Sequence, residues 1–186
     1  MAGLELTVSP GFLLLAASLY FAGGIGAVAA FAAAALAHEL GHVAAMFMAG
    51  ASVRGVRITL WGPVIEYSGV LTQREELGIL AAGPVAGLLF AALCFLTDIP
   101  FLCYAGAIAL FAAMFNLLPV LPMDGGRLAQ YVLEAVMPES AAAVVLRVSG
   151  SLCALGVFAT GICIRSLAAA AVGIWMGMLA NWPDLR

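Results

Sequence analysis

Residues 11–50 contain no Lys, Arg or Asp, and Glu39 is their one formally charged side chain. A run like this cannot face water along its length. As one straight helix it would extend about 60 Å, twice the hydrocarbon thickness of a bilayer. It must therefore fold back within an apolar solvent, and Gly23-Gly24 with Gly26 is where the backbone is freest to do so. The rest of the chain agrees. Of 186 residues, 65% are hydrophobic and 9% charged, against about 25% charged in a soluble domain. The solvent of this chain is mostly lipid. All seven basic residues are Arg and the net charge is −3, so no basic run points to nucleic acid. Cys94, Cys103, Cys153 and Cys163 show no CxxC spacing and read as small apolar helix residues.

The expected fold is a membrane all-α bundle of about six transmembrane helices, with a small membrane-associated β-hairpin after the second. Pro10 suits a helix start, and the first span is short enough to recruit Leu4 and Leu6. It has no Lys or Arg before it and reads as a retained span rather than a signal peptide. The second span covers 25–49. Residues 51–76 collect charges around Gly62-Pro63 and are rich in Val, Ile, Leu and Tyr, which predicts the hairpin. Further spans follow at 77–97, 101–120, 141–164 and 166–182. Between them lie a loop at 121–127 and a short amphipathic helix at 128–137. The chain reads as a single membrane domain.

The second span carries His38-Glu39-Leu40-Gly41-His42 in one of the most apolar stretches of the chain. Two imidazoles and a carboxylate cost several kcal/mol there unless something pairs with them. On a helix His38 and His42 stand one turn apart on one face, with Glu39 beside them. This geometry suits two nitrogen ligands on a zinc ion and a carboxylate free to act as general base. A third protein ligand is then needed, and with two histidines in the chain it must be Cys, Asp or Glu. Asp124 is the strongest candidate, since Pro119 and Pro122 precede it and Gly125-Gly126 follow it. Glu66, in the hairpin, and Asp98, at the opposite membrane face, are weaker.

These residues match a pattern. His38-Glu39-Leu40-Gly41-His42, with Asn116-Leu117-Leu118-Pro119 and Pro122-Met123-Asp124-Gly125-Gly126-Arg127, resembles the site-2 proteases, the zinc intramembrane metalloproteases. Ala82-Gly83-Pro84 looks like that family's glycine-proline motif. The likeness is closest to the compact subgroup that includes stage IV sporulation protein FB, which has six spans and no inserted PDZ domain. Two features depart from it: no CBS domain follows the last span, and Gly87 stands where many members carry a polar residue.

The resemblance implies Zn2+ on His38, His42 and Asp124, with Glu39 as the catalytic base. It implies that Asn116 holds the substrate backbone or the tetrahedral intermediate, and Pro119 and Glu66 are further candidate substrate contacts. The expected activity is hydrolysis of a peptide bond in a membrane-embedded or membrane-associated protein, such as a sigma-factor-like precursor. The expected partners are that substrate, the lipid bilayer and membrane regulatory proteins. The alternative is a membrane zinc transporter or metal-regulated scaffold, which would leave Glu39 no proton to move. If the motif span ends in the cytoplasm, Arg54, Arg57, Arg74, Arg127, Arg147 and Arg186 lie on or near that side and Arg165 does not. This fits the positive-inside bias, with both termini cytoplasmic in a bacterial inner membrane.

Overall fold

The computed structural model describes residues 5–8, 10–59 and 62–181. Leu4, Leu60, Trp61, Trp182 and Arg186 lie outside the described residues. The element order is β1 (Glu5–Val8), α1 (Pro10–Met48), β2 (Ser52–Thr59), β3 (Gly62–Ser68), α2 (Gln73–Phe95), α3 (Pro100–Asn116), α4 (Asp124–Glu134), α5 (Glu139–Cys163) and α6 (Leu167–Ala180). The chain forms two compact units, Met1–Ala113 and Met114–Arg186.

In the first unit, β2 and β3 form the anticipated antiparallel hairpin, with an irregularity between Val53 and Gly55. A third strand joins it. Leu6 belongs to β1, which pairs parallel with β2, rather than to the first span. That partner makes these four residues a strand: Glu5-Leu6-Thr7-Val8 alternates with a period of two but pairs some fifty positions away, and α1 begins only at Pro10, which suits the first position of a helix but not its interior.

This pairing settles the course of α1. Val8 lies opposite Ile58, ten residues past the end of α1 at Met48, so the two ends of that helix can be no more than about 45 Å apart. A straight helix of 39 residues would hold its ends about 58 Å apart. The helix therefore doubles back, and it does so at Gly24, whose φ of 69° and ψ of −166° are non-helical. That region of φ/ψ space is essentially reserved for glycine.

The second leg of α1, residues 25–48, buries one stripe: Ala30, Ala34, His38, His42 and Met46, every fourth residue. The facing stripe on α2 is Ile79, Gly83, Gly87 and Ala91. The helices run antiparallel, with Met46 against Ile79 at one end and Ala34 against Ala91 at the other. Small side chains dominate because lipid-solvated helices gain little from hiding apolar surface and associate through close van der Waals packing. At Gly41 a Cβ would overlap the Ala82 carbonyl oxygen and lie 2.6 Å from the Ala86 Cβ. α2 starts at Gln73 rather than 77, because Thr72 caps it: the Thr72 amide donates to Glu75 Oε2 at 2.7 Å and the Glu75 amide to Thr72 Oγ1 at 3.4 Å. α3 packs on α2 where Gly106 meets Cys94 and Ala91.

In the second unit, α5 and α6 form a tight antiparallel pair. Gly161 lies on the Ala170 backbone and Gly173 on that of Phe158. Val120, Met123, Ala154 and Met176 make its core, with Phe115 and Trp175 packed around them. α4 replaces the anticipated loop at 121–127 and helix at 128–137. It begins at Asp124, since the positive end of the helix dipole favours a carboxylate in the first turn.

Among the described residues, three helical stretches are long and apolar enough to cross a membrane: Ala16–Met48, Gln73–Phe95 and Glu139–Cys163. Pro100–Asn116 and Leu167–Ala180 are shorter apolar helices.

Gly24→Ala should destabilise the protein by about 1–3 kcal/mol, read as a lower unfolding midpoint in detergent. Gly26→Ala, at a helical position with open space around it, should be neutral or slightly stabilising.

Candidate metal centre

His38 and His42 are both buried, each 8% exposed, on the α1 stripe that faces α2. Their placement follows from helical periodicity: a spacing of four keeps both on the seam. The His42 Nδ1 lies 2.7 Å from the carbonyl oxygen of Ile79. A carbonyl only accepts, so Nδ1 carries the proton, and in the neutral ring Nε2 presents its lone pair. That nitrogen stands 3.1 Å from Nε2 of His38, with the two rings nearly perpendicular at 77°. Two nitrogens bound at 2.0–2.1 Å to a tetrahedral zinc ion would stand about 3.3 Å apart. The pair fits zinc in donor type, tautomer and separation. A backbone carbonyl holding the far nitrogen of a ligating imidazole is the usual means of fixing its orientation.

Glu39 is half-buried on the same turn of α1. Glu66 lies in β3, opposite Gly55 of β2. Asp98 sits exposed in the turn between α2 and α3. The first unit thus brings His38, Glu39 and His42 together on one helical turn.

The other candidates belong to the second unit. Asn116 is the last residue of α3 and half-buried, Pro119 follows in the connecting segment, and Asp124 opens α4. Asp124 is half-buried and its Oδ2 is shielded from solvent. The segment between Asn116 and Asp124 is pressed against its neighbours on two sides. A Cβ at Gly125 would overlap the Leu117 backbone, and one at Gly126 would lie 2.5 Å from the Val120 carbonyl carbon. From α5, the Ser149 hydroxyl, which donates to the Leu146 carbonyl at 3.1 Å, also stands 3.5 Å from the Pro119 carbonyl oxygen, and Gly150 lies beside that same oxygen. The two glycines are helical and buried, so their role is close approach and not a sharp turn.

Ile79 was not singled out in the sequence reading, and Gly41 and Gly83 registered there only within the histidine and glycine-proline motifs. A signal existed: Gly83 and Gly87 repeat the four-residue spacing of His38 and His42.

Comparisons with known proteins bear on the family and the fold. Residues 96–156, which include the segment from Asn116 to Arg127, match the model of peptidase family M50. Rip3, an assigned zinc metalloprotease of Mycobacterium tuberculosis, is 29% identical over 177 residues in each of two strains, covering 88% of this chain. This chain spans 45% of that relative's length. The site-2 protease from Methanocaldococcus jannaschii shares the fold, with a TM-score of 0.72 at 20% identity, over 97% of this chain and 91% of that one. Apolar helices and fold together define a membrane protein of site-2 protease architecture. The chain is similar to peptidase family M50 over residues 96–156, and its fold is that of a site-2 protease.

Gly125→Ala should lower the unfolding midpoint by the equivalent of about 1–3 kcal/mol through overpacking against Leu117. Gly156→Ala, on α5 with nothing within 4 Å, should not.

Proposed function

We propose that this chain is an intramembrane zinc endopeptidase, with His38, His42 and Asp124 as its metal ligands and Glu39 as its general base. The observation that carries the reading is the buried imidazole pair, oriented by the Ile79 carbonyl, with a carboxylate one residue away. Asp124 is proposed as third ligand because it offers a half-buried carboxylate at the head of a helix whose approach is rigidly packed. Zinc held there would polarise a scissile carbonyl and lower the pKa of a water toward 7.

Glu39 accepts the proton of the attacking water and delivers it to the leaving amine. Asn116 binds the substrate backbone or the tetrahedral intermediate, and Pro119 and Glu66 are further substrate contacts. A transmembrane helix hides its own peptide bonds, so the substrate must present an extended segment, and the β1–β2–β3 sheet is the natural place for one to pair. The substrate class is a membrane-embedded or membrane-associated protein, as a transcription-factor precursor would be. A six-span arrangement with both termini cytoplasmic places Arg54, Arg74 and Arg127 on the inner face, in accord with the positive-inside bias. A transporter or scaffold explains buried ligands but leaves Glu39 no proton to move.

In a co-expression cleavage assay, Glu39→Gln should cut activity by about 10²–10⁴-fold while bound zinc stays at the wild-type level; retained cleavage rules out Glu39 as base. Asp124→Asn should lower the zinc content of the purified protein, and unchanged stoichiometry would remove it from the ligand set.

A further inference from the structure

On the α1–α2 seam, each histidine faces a glycine. Gly83 stands against His42, and Gly87 has the His38 Nδ1 as a neighbour. The contact at Gly83 is the closer. A Cβ built there would overlap Nε2 of His42 and lie 2.5 Å from Cε1 and 2.7 Å from Cδ2, and these three ring atoms are its nearest neighbours. A Cβ at Gly87 would meet only ordinary contact with His38, at 3.9 Å. The His42 ring therefore lies across one turn of α2, its Nδ1 on the Ile79 carbonyl and its Nε2 in the notch left by Gly83. Ile79 and Gly83 are four apart, so one helical turn supplies both the acceptor and the notch.

We propose that Gly83 and the Ile79 carbonyl form a positioning device for the metal ligand His42: the carbonyl sets its tautomer and the missing side chain sets its rotamer. Any side chain at 83 forces the ring to rotate. Rotation breaks the 2.7 Å bond to Ile79 and carries Nε2 away from its 3.1 Å approach to His38. The effect reaches the metal through His42, so Gly83 is a positioning residue and not a catalytic one. Pro84 contributes to the local geometry of α2, since it lacks the N–H that would bond the Leu80 carbonyl in that turn. The inference rests on the proposed role of His42 as a zinc ligand.

The test uses the full chain in detergent, with zinc as the probe and cobalt(II) as its spectroscopic substitute. Zinc affinity is measured by competition with a chelator. Gly83→Ala should bind zinc about 10–100-fold more weakly than wild type, the range for a lost orienting group, and its cobalt absorption spectrum should change. Gly78→Ala, exposed on the same helix with nothing within 4 Å, should match wild type in both. Wild-type affinity and an unchanged cobalt spectrum in Gly83→Ala overturn the proposal.

A second arm covers loss of folding. Gly83→Ala should lower the unfolding midpoint in the wild-type background and leave it unchanged in a His42→Ala background, where no ring fills the notch. An equal loss in both backgrounds overturns the proposal. His42→Ala separates the two readings: if it binds zinc as tightly as wild type, the zinc-ligand reading of His42 fails, and this inference with it. If it loses zinc while Gly83→Ala does not, the positioning role alone fails.

Discussion

The contact between the His42 ring and the turn of α2 at Ile79–Gly83 is the interaction on which the first unit depends. A helix surrounded by lipid gains almost nothing by burying apolar surface against another helix, because the tails are equally apolar. What holds two such helices together is close packing and any polar group that finds a partner between them. Here both operate at once. Gly41 and Gly83 remove the atoms that would hold the helices apart, and the imidazole entering that space finds a carbonyl at its far nitrogen. The polar cluster that looked too costly for an apolar helix is part of what joins the helices. Site and seam cannot be altered separately.

The rest of the first unit keeps that seam in place. β1 pairs with β2, and this closes α1 on itself around Gly24. The capping box at Thr72 and Glu75 fixes where α2 begins, and so which residues reach His42. In the second unit a different device serves the same end. The segment before α4 is clamped between Gly125-Gly126 below and Ser149 with Gly150 beside it, so the direction of the first turn of α4, and of Asp124 within it, is set by backbone contacts. Carboxylates on mobile loops lose entropy on binding a metal; one at the head of a packed helix has already lost it.

The histidine motif was legible in the sequence because it is local. Two histidines at a spacing of four share a helix face whatever the helix packs against, and their apolar flanks mark them as needing a partner. The fold-back at Gly24 was legible for a similar reason: forty apolar residues exceed the bilayer, and glycines marked where the chain could bend. β1 was missed because four residues carry little pattern, and their strand identity depends on a partner some fifty positions away. The start of α4 was misjudged because Pro119, Pro122, Gly125 and Gly126 together read as irregular backbone. The prolines do end α3, but the glycines are helical.

The sequence by itself determined the solvent of this protein, the hairpin, the break in α1 and the residue types of the candidate zinc site. Each of these follows from composition or from spacing within a few turns of chain. Tertiary structure alone decided which carbonyl orients His42, why glycines stand at 41, 83, 125 and 126, and which helix presents Asp124. The reason is steric. A glycine's meaning lies in the atom that would occupy its missing side chain's place, and that atom belongs to another element of the fold.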